Sequence, residues 1–283
     1  MNPFAVLHVE GASWPPFHLH LDVVVIVIAL VAGYEYAIRR LAPKYCPGDE
    51  KPVTNGQRVS FYLGVASLAA ASMWPVHDLA EERLFMFHMM EHLTIALVAP
   101  PLLLGGLPWW LLRALIRPIM PVVKVLTKPL VALLLFNGWL AFLHVPSVVE
   151  AMLTNDFVHF FFHLILFVTA IIMWWPVMDP IPDTETLTPF GKMGYLFLQS
   201  LVPTIPASFM TLGTTPLYGI YETFPRMWGV SVMTDQIVAG LIMKIGGGLI
   251  LWGWIAWVFF SWYADEQKYA TPPVVVRSTD RPA

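Results

Sequence analysis

The sequence predicts an all-α, polytopic membrane helix bundle of seven transmembrane helices, with the N-terminus outside. Three observations carry this reading. Hydrophobic residues make up 57% of the chain and charged residues only 12%, against about 25% charged in soluble domains. Apolar runs near twenty residues, long enough to cross a bilayer, recur along the chain. Lys and Arg gather in alternate connections, as they do in membrane proteins of fixed orientation. The near-neutral charge and the lack of a basic cluster exclude nucleic acid as a partner and leave the lipid bilayer as the surroundings.

The spans fall at about 18–41, 58–76, 84–104, 129–145, 156–177, 190–212 and 234–262. The first fifteen residues lack a basic start and an apolar core, so the first run reads as a retained span, not a signal peptide. Between the third and fourth spans, Pro118 and Pro121 break an apolar run that carries Trp109, Trp110, Arg113 and Arg117. Those residues suit a segment lying at the interface. The seventh run exceeds the bilayer thickness and is expected to tilt or project. Residues 1–263 thus form one membrane domain, and the polar, proline-containing stretch 264–283 reads as a mostly disordered cytoplasmic tail. Cys46 stands alone, which excludes an intrachain disulfide and a Cys-x-x-Cys metal motif.

Orientation follows from the first connection, with Arg39, Arg40, Lys44, Lys51 and Arg58, and the third, with Arg113, Arg117, Lys124 and Lys128. Both are placed in the cytoplasm. All nine histidines, from His8, His18 and His20 onward, then fall on the outer side.

Two stretches concentrate the chemistry. Phe85-Met86-Phe87-His88-Met89-Met90-Glu91-His92 and Asp156-Phe157-Val158-His159-Phe160-Phe161-Phe162-His163 each place a His-x3-His pair near the outer end of an apolar run. Residues four apart share a helix face, so each pair can address one ion. Ionisable groups are costly inside a membrane and cluster there for a purpose. Neutral imidazole is the commonest transition-metal ligand, so His88, His92, His159 and His163 form the candidate metal site. Glu91 and Asp156 lie about 60° round their helices from the imidazoles, close enough to ligate or to orient them. His77 and His144, at the outer ends of the second and fourth spans, and Met243 in the last span are further candidates. Asp235 opens the last span and suits either an N-cap or a ligand. Methionines cluster toward the same side and tilt the metal toward copper, since thioether favours Cu(I). Lys244, deep in the last span, should face protein or snorkel. The alternative for the histidines is hydrogen bonding between helices.

The run His88-Met89-Met90-Glu91-His92, then Pro100-Pro101-Leu102-Leu103-Leu104-Gly105 with Pro108, resembles the CtaG-like cytochrome c oxidase assembly factors of bacteria. Pro216-Leu217-Tyr218, Pro225-Arg226-Met227-Trp228-Gly229 and Asp235-Gln236 through Met243 are similar to the family's last third. The resemblance implies a multi-pass protein of the bacterial inner membrane, not an enzyme, that helps build cytochrome c oxidase by supplying copper. Its implied partners are the oxidase subunits and a periplasmic copper donor. It carries His88, His92, His159, His163 and Asp235 over as functional residues, whereas Glu91 and Lys244 depart from the Gln and Trp expected there. Two other functions stay open: an electron carrier with haem b held between the helices, and a His-rich membrane metal oxygenase. The oxygenase lacks the adjacent His-His pair such sites use.

A reporter active only in the cytoplasm is expected to give signal when fused at the C-terminus or within 42–56. Signal from 146–154 would overturn the topology and the one-sided placement of the histidines.

Overall fold

The computed structural model describes residues 13–48 and 51–270, all of them in helices or connections, with no strand among the described residues. His8 lies outside them, as do residues 271–283 of the tail. The helices are α1 (Leu21–Tyr45), α2 (Asn55–Ala71), α3 (Val76–Glu82), α4 (Phe85–Gly106), α5 (Trp109–Leu126), α6 (Pro129–Leu143), α7 (Pro146–Thr154), α8 (Asp156–Met178), α9 (Pro189–Leu201), α10 (Thr204–Leu212) and α11 (Val232–Lys268). A 3₁₀ turn, Gly219–Glu222, lies in the long connection before α11.

Six helical stretches are long and apolar enough to cross a membrane, and α6 makes a seventh if it is counted with α5. Helix α6 has 15 residues, about 22 Å at 1.5 Å per residue, short of the roughly 30 Å hydrocarbon core. Helix α5 meets it at 86°, the angle expected of a segment lying along the membrane face beside a crossing one. Arg113 of α5 is tied to Asp183 at 2.7 Å. Large apolar side chains on α1 and α11, among them Val25, Ile28, Leu249, Trp252 and Phe260, remain exposed on the bundle's outside, a surface that only lipid suits.

The second span divides. Helix α2 starts with a capping box at Thr54 and Gln57 and ends at Ala71. A turn through the cis Trp74–Pro75 bond then leads into α3. The stretch Asn55–Glu82 still counts as one span, with its regular helix interrupted before Pro75, which has no N–H to continue it, and α3 brings His77, Asp78, Glu81 and Glu82 to the bundle end that holds the other histidines. The last helix also runs on past 263, remaining helical to Ala270.

Helix α4 is the centre. Two-thirds of its apolar window (67%) is buried, against a third or less for the other long helices. Its regular ladder breaks into a π-helical segment at Thr94–Val98, just before Pro100 and Pro101. Pro100 cannot donate to the Ala96 carbonyl. The indole N–H of buried Trp174 on α8 donates to that carbonyl at 2.9 Å. At the helix end, Tyr34 of α1 donates to Gly106 O at 3.0 Å and Ser60 of α2 to Leu102 O at 2.7 Å. In this way α1, α2 and α8 satisfy the polar backbone that the prolines and the terminus leave open, as an apolar surrounding requires. On α11, Gly240 allows close approach to α10: a Cβ there would stand 2.7 Å from Thr211 Cγ2 and 3.1 Å from the Ala207 carbonyl.

Gly240→Leu is therefore expected to overpack this contact and cost about 1–3 kcal/mol. It should lower the melting temperature of the detergent-purified protein, while Gly248→Leu, which meets nothing within 4 Å, should not.

Candidate metal centre

Helices α4 and α8 pack with their histidine faces together. The spacing of four puts His88 over His92 (ring centroids 4.3 Å) and His159 over His163 (4.1 Å). Across the helices, His92 Nε2 and His163 Nε2 are 2.8 Å apart, a hydrogen bond between two imidazoles. Ring centroids of His88 lie 5.8 Å from His159 and 5.7 Å from His163. One ligand nitrogen from each of His88, His159 and His163 lies within 4.8 Å of the others. His92 joins this group through His163 without belonging to that triad.

In the triad His88 and His159 are buried and His163 is nearly so, and the set is incompletely bonded. His88 Nδ1, His92 Nδ1, both ring nitrogens of His159 and Glu91 Oε2 have no hydrogen-bond partner. Buried polar atoms are nearly always paired, and neutral imidazole nitrogen is the commonest protein ligand for a transition metal. Zn–N and related bonds of about 2.0–2.1 Å need ligand atoms roughly 3–4 Å apart, which this set approaches. The residues fit a transition-metal ion.

The other expected residues divide. Glu91 is buried and accepts from His77 Nδ1 at 2.9 Å, with His163 Nδ1 at 3.7 Å. Its position on α4 thus brings it against two of the ring systems. His77 stands in a second group with Glu81 and His159. Asp156 is exposed in the first turn of α8, where Asn155 supplies the cap, and it lines the cavity in front of His159 and His163. His144 Nδ1 donates to Leu140 O within its own helix, and its carbonyl accepts from the Tyr218 hydroxyl. It lies outside the ion-holding groups among the described residues. Met243, in a π-helical segment of α11, lines a small cavity of about 40 Å³ behind His92 with Met89, Met173 and Lys244. Lys244 reaches Ser208 at 3.4 Å.

Asp235 does something else. It is fully buried, and its oxygens accept from Phe85 N–H (2.9 Å), Met86 N–H (2.9 Å) and Arg226 (2.8 Å). Its own helix is capped by Ser231. The carboxylate caps the N-terminus of α4, two of whose first N–H groups have no partner inside the helix. Arg226 also bonds the carbonyls of Arg83 and Tyr221, fastening the 213–231 connection over the same end.

Sequence reasoning missed Glu81, Asp78 and the structural part played by Arg226. His77-x3-Glu81 has the spacing of the two histidine pairs, and that signal was available once α3 was read as a helix. Helix α3, α4 and α8, with His20 at the start of α1, border an open cavity of about 640 Å³ lined by His20, His77, Glu81, Glu91, His159 and His163.

A bundle of apolar helices with a buried polyhistidine face at one end defines a polytopic membrane protein built around a histidine-rich constellation. The chain belongs to the cytochrome c oxidase caa3 assembly factor family (Caa3_CtaG), whose profile matches residues 32–265. It is also similar to proteins named only as uncharacterized from Mycobacterium bovis and Mycobacterium tuberculosis, each 23% identical over 241 residues. The match covers 77% of this chain and 34% of theirs, so the chain spans about a third of the length of these curated relatives. No solved structure matches it.

If Asp235 caps α4, Asp235→Ala loses a cap and leaves Arg226 without its partner, together costing about 2–4 kcal/mol. Its melting temperature in detergent should fall further than that of His88→Ala. A variant that keeps its stability and loses only bound metal would make Asp235 a ligand instead.

Proposed function

We propose that this chain assists assembly of a bacterial cytochrome c oxidase by holding a copper ion between α4 and α8 and passing it to the immature enzyme. The observation that carries the reading is the converging triad of His88, His159 and His163, of which His88 and His159 are buried with unpartnered nitrogens. Membership of an oxidase assembly family supplies the client. Copper is cargo in this reading, and the chain needs no catalytic group of its own. His88, His159 and His163 hold the ion, His92 braces His163, and Glu91 orients the rings. The 2.8 Å contact between His92 and His163 leaves no slot for a porphyrin between them, which favours a single ion over haem b.

The orientation drawn from the basic connections puts the cavity on the periplasmic side of the inner membrane. A soluble copper donor would meet it there, and the copper-bearing part of the oxidase would take the ion from it.

His88→Ala and His159→Ala are expected to lower bound copper and oxidase activity without lowering the amount of this protein. Losing even a supporting contact to a metal ligand costs about 10–100-fold in affinity, while an interhelical hydrogen bond contributes only about 0.6 kcal/mol to a membrane fold. External copper should restore part of the activity by mass action. Normal oxidase activity in copper-limited cells carrying both variants would overturn the reading. A Soret band in the purified protein would replace copper with haem.

A further inference from the structure

Two groups of carboxylates and histidines lie outward of the inner triad, and they differ in how their atoms are satisfied. In the first, Asp78 is buried and both its oxygens are taken, Oδ1 by His18 Nδ1 at 3.2 Å and Oδ2 by His20 Nε2 at 3.0 Å. Each acceptor has a ring nitrogen to donate to it, and the group is complete without an ion.

The second group, His77, Glu81 and His159, is not complete. His77 Nδ1 lies 2.9 Å from Glu91 Oε1. A carboxylate only accepts, so His77 Nδ1 carries a proton toward Glu91. The other ring nitrogen, Nε2, lies 3.4 Å from Glu81 Oε1. His159 Nδ1 reaches the same oxygen at 2.7 Å, but without hydrogen-bond alignment, and His159 is only 3% exposed with both ring nitrogens unpartnered. Two imidazole nitrogens and one carboxylate oxygen therefore converge within 4.8 Å. Two tetrahedral ligands each about 2.0–2.1 Å from an ion stand about 3.4 Å apart; the His77–Glu81 pair has that spacing, and the 2.7 Å His159–Glu81 pair would open slightly around an ion. Glu91 then supplies the carboxylate–histidine pairing that fixes the tautomer of a metal-bound ring.

We propose that His77, Glu81 and His159 form a second copper site, an outer station that takes the ion from the cavity and hands it to the inner histidines through His159. This rests on the copper reading above. His159 belongs to both sets. Its Nδ1 faces Glu81, and its ring stacks edge-on against His163 at 4.1 Å and His77 at 5.5 Å. An ion moving inward exchanges Glu81 and His77 for His88 and His163 while His159 stays as a common ligand, so it is never released to water. The donor sets are graded to match. A mixed imidazole and carboxylate site suits Cu(II) arriving from solution, and the inner site offers nitrogen alone. Glu81 is the partly exposed member and opens the station to the 640 Å³ cavity.

The test uses the full chain purified in detergent and Cu(II) as the probe, read by electron paramagnetic resonance and by stopped-flow loading. Wild-type protein with one equivalent should show a nitrogen-only ligand pattern. His88→Ala/His163→Ala should still bind Cu(II), now with two nitrogens and an oxygen, and adding Glu81→Gln should abolish that signal. Glu81→Gln alone, an isosteric change on a partly exposed side chain, should keep the wild-type signal at equilibrium and load at least about tenfold more slowly, the lower end of what losing a supporting group costs. The outer station is overturned if the double variant binds no copper while wild type does, if its signal survives Glu81→Gln, or if Glu81→Gln loads at the wild-type rate. Wild-type protein that binds no Cu(II) overturns the copper reading itself.

Discussion

The first turn of α4 hangs on one carboxylate. Asp235 reaches from α11 to Phe85 N–H and Met86 N–H and is held in place by Arg226. A helix N-terminus in an apolar surrounding must find acceptors for its first N–H groups, and here a neighbouring helix supplies them. The anionic group also complements the positive end of the helix dipole. His88 is one turn further on, so the depth and rotation of the histidine face follow from where this clamp fixes the chain. The connection 213–231, tied down by the same arginine, closes over the end of the bundle as a consequence.

Below the clamp, α4 is not a regular helix, and its departures serve the site. The π-helical segment at Thr94–Val98 and the two prolines after it shift the helix rotation below His92. The carbonyl that Pro100 leaves open is met by Trp174 of α8, which registers α8 against α4 on the side of the histidines away from Asp235. Two fixed points, Asp235 above and Trp174 below, therefore set where His159 and His163 meet His88 and His92. A second π-helical segment, Ile242–Gly246 on α11, passes the same level and places Met243 and Lys244 behind His92.

The polar groups at this end form a graded series. Asp78 with His18 and His20 is saturated by its own hydrogen bonds. Glu91 is shared between His77 and His163. Glu81 faces two ring nitrogens, at 2.7 Å and 3.4 Å, and the inner histidines keep several nitrogens without a partner. Saturated groups hold α1 and α3 against the bundle, and unsaturated ones leave polar atoms without a partner in the interior. Burial makes this difference large, because an unpaired polar group costs far more inside than at the surface.

The sequence by itself determined the membrane class, the helices and the two histidine faces. Hydrophobic run length reports bilayer thickness directly, and a spacing of four reports a shared face on any helix. The short helix α3 was hidden because seven residues with three carboxylates read as a connection, and Glu81 was hidden with it. The place of Asp235 was half legible: its position opening α11 marked a capping carboxylate, but the cap is given to α4, 150 residues earlier in the chain. Asp156 and Glu91 had equal standing on helix geometry, yet Glu91 turns inward to His77 while Asp156 stays at the exposed mouth. Periodicity fixes rotation about a single axis; which neighbouring helix stands on the other side of a side chain, and whether its atoms donate or accept there, was decided only by the tertiary packing.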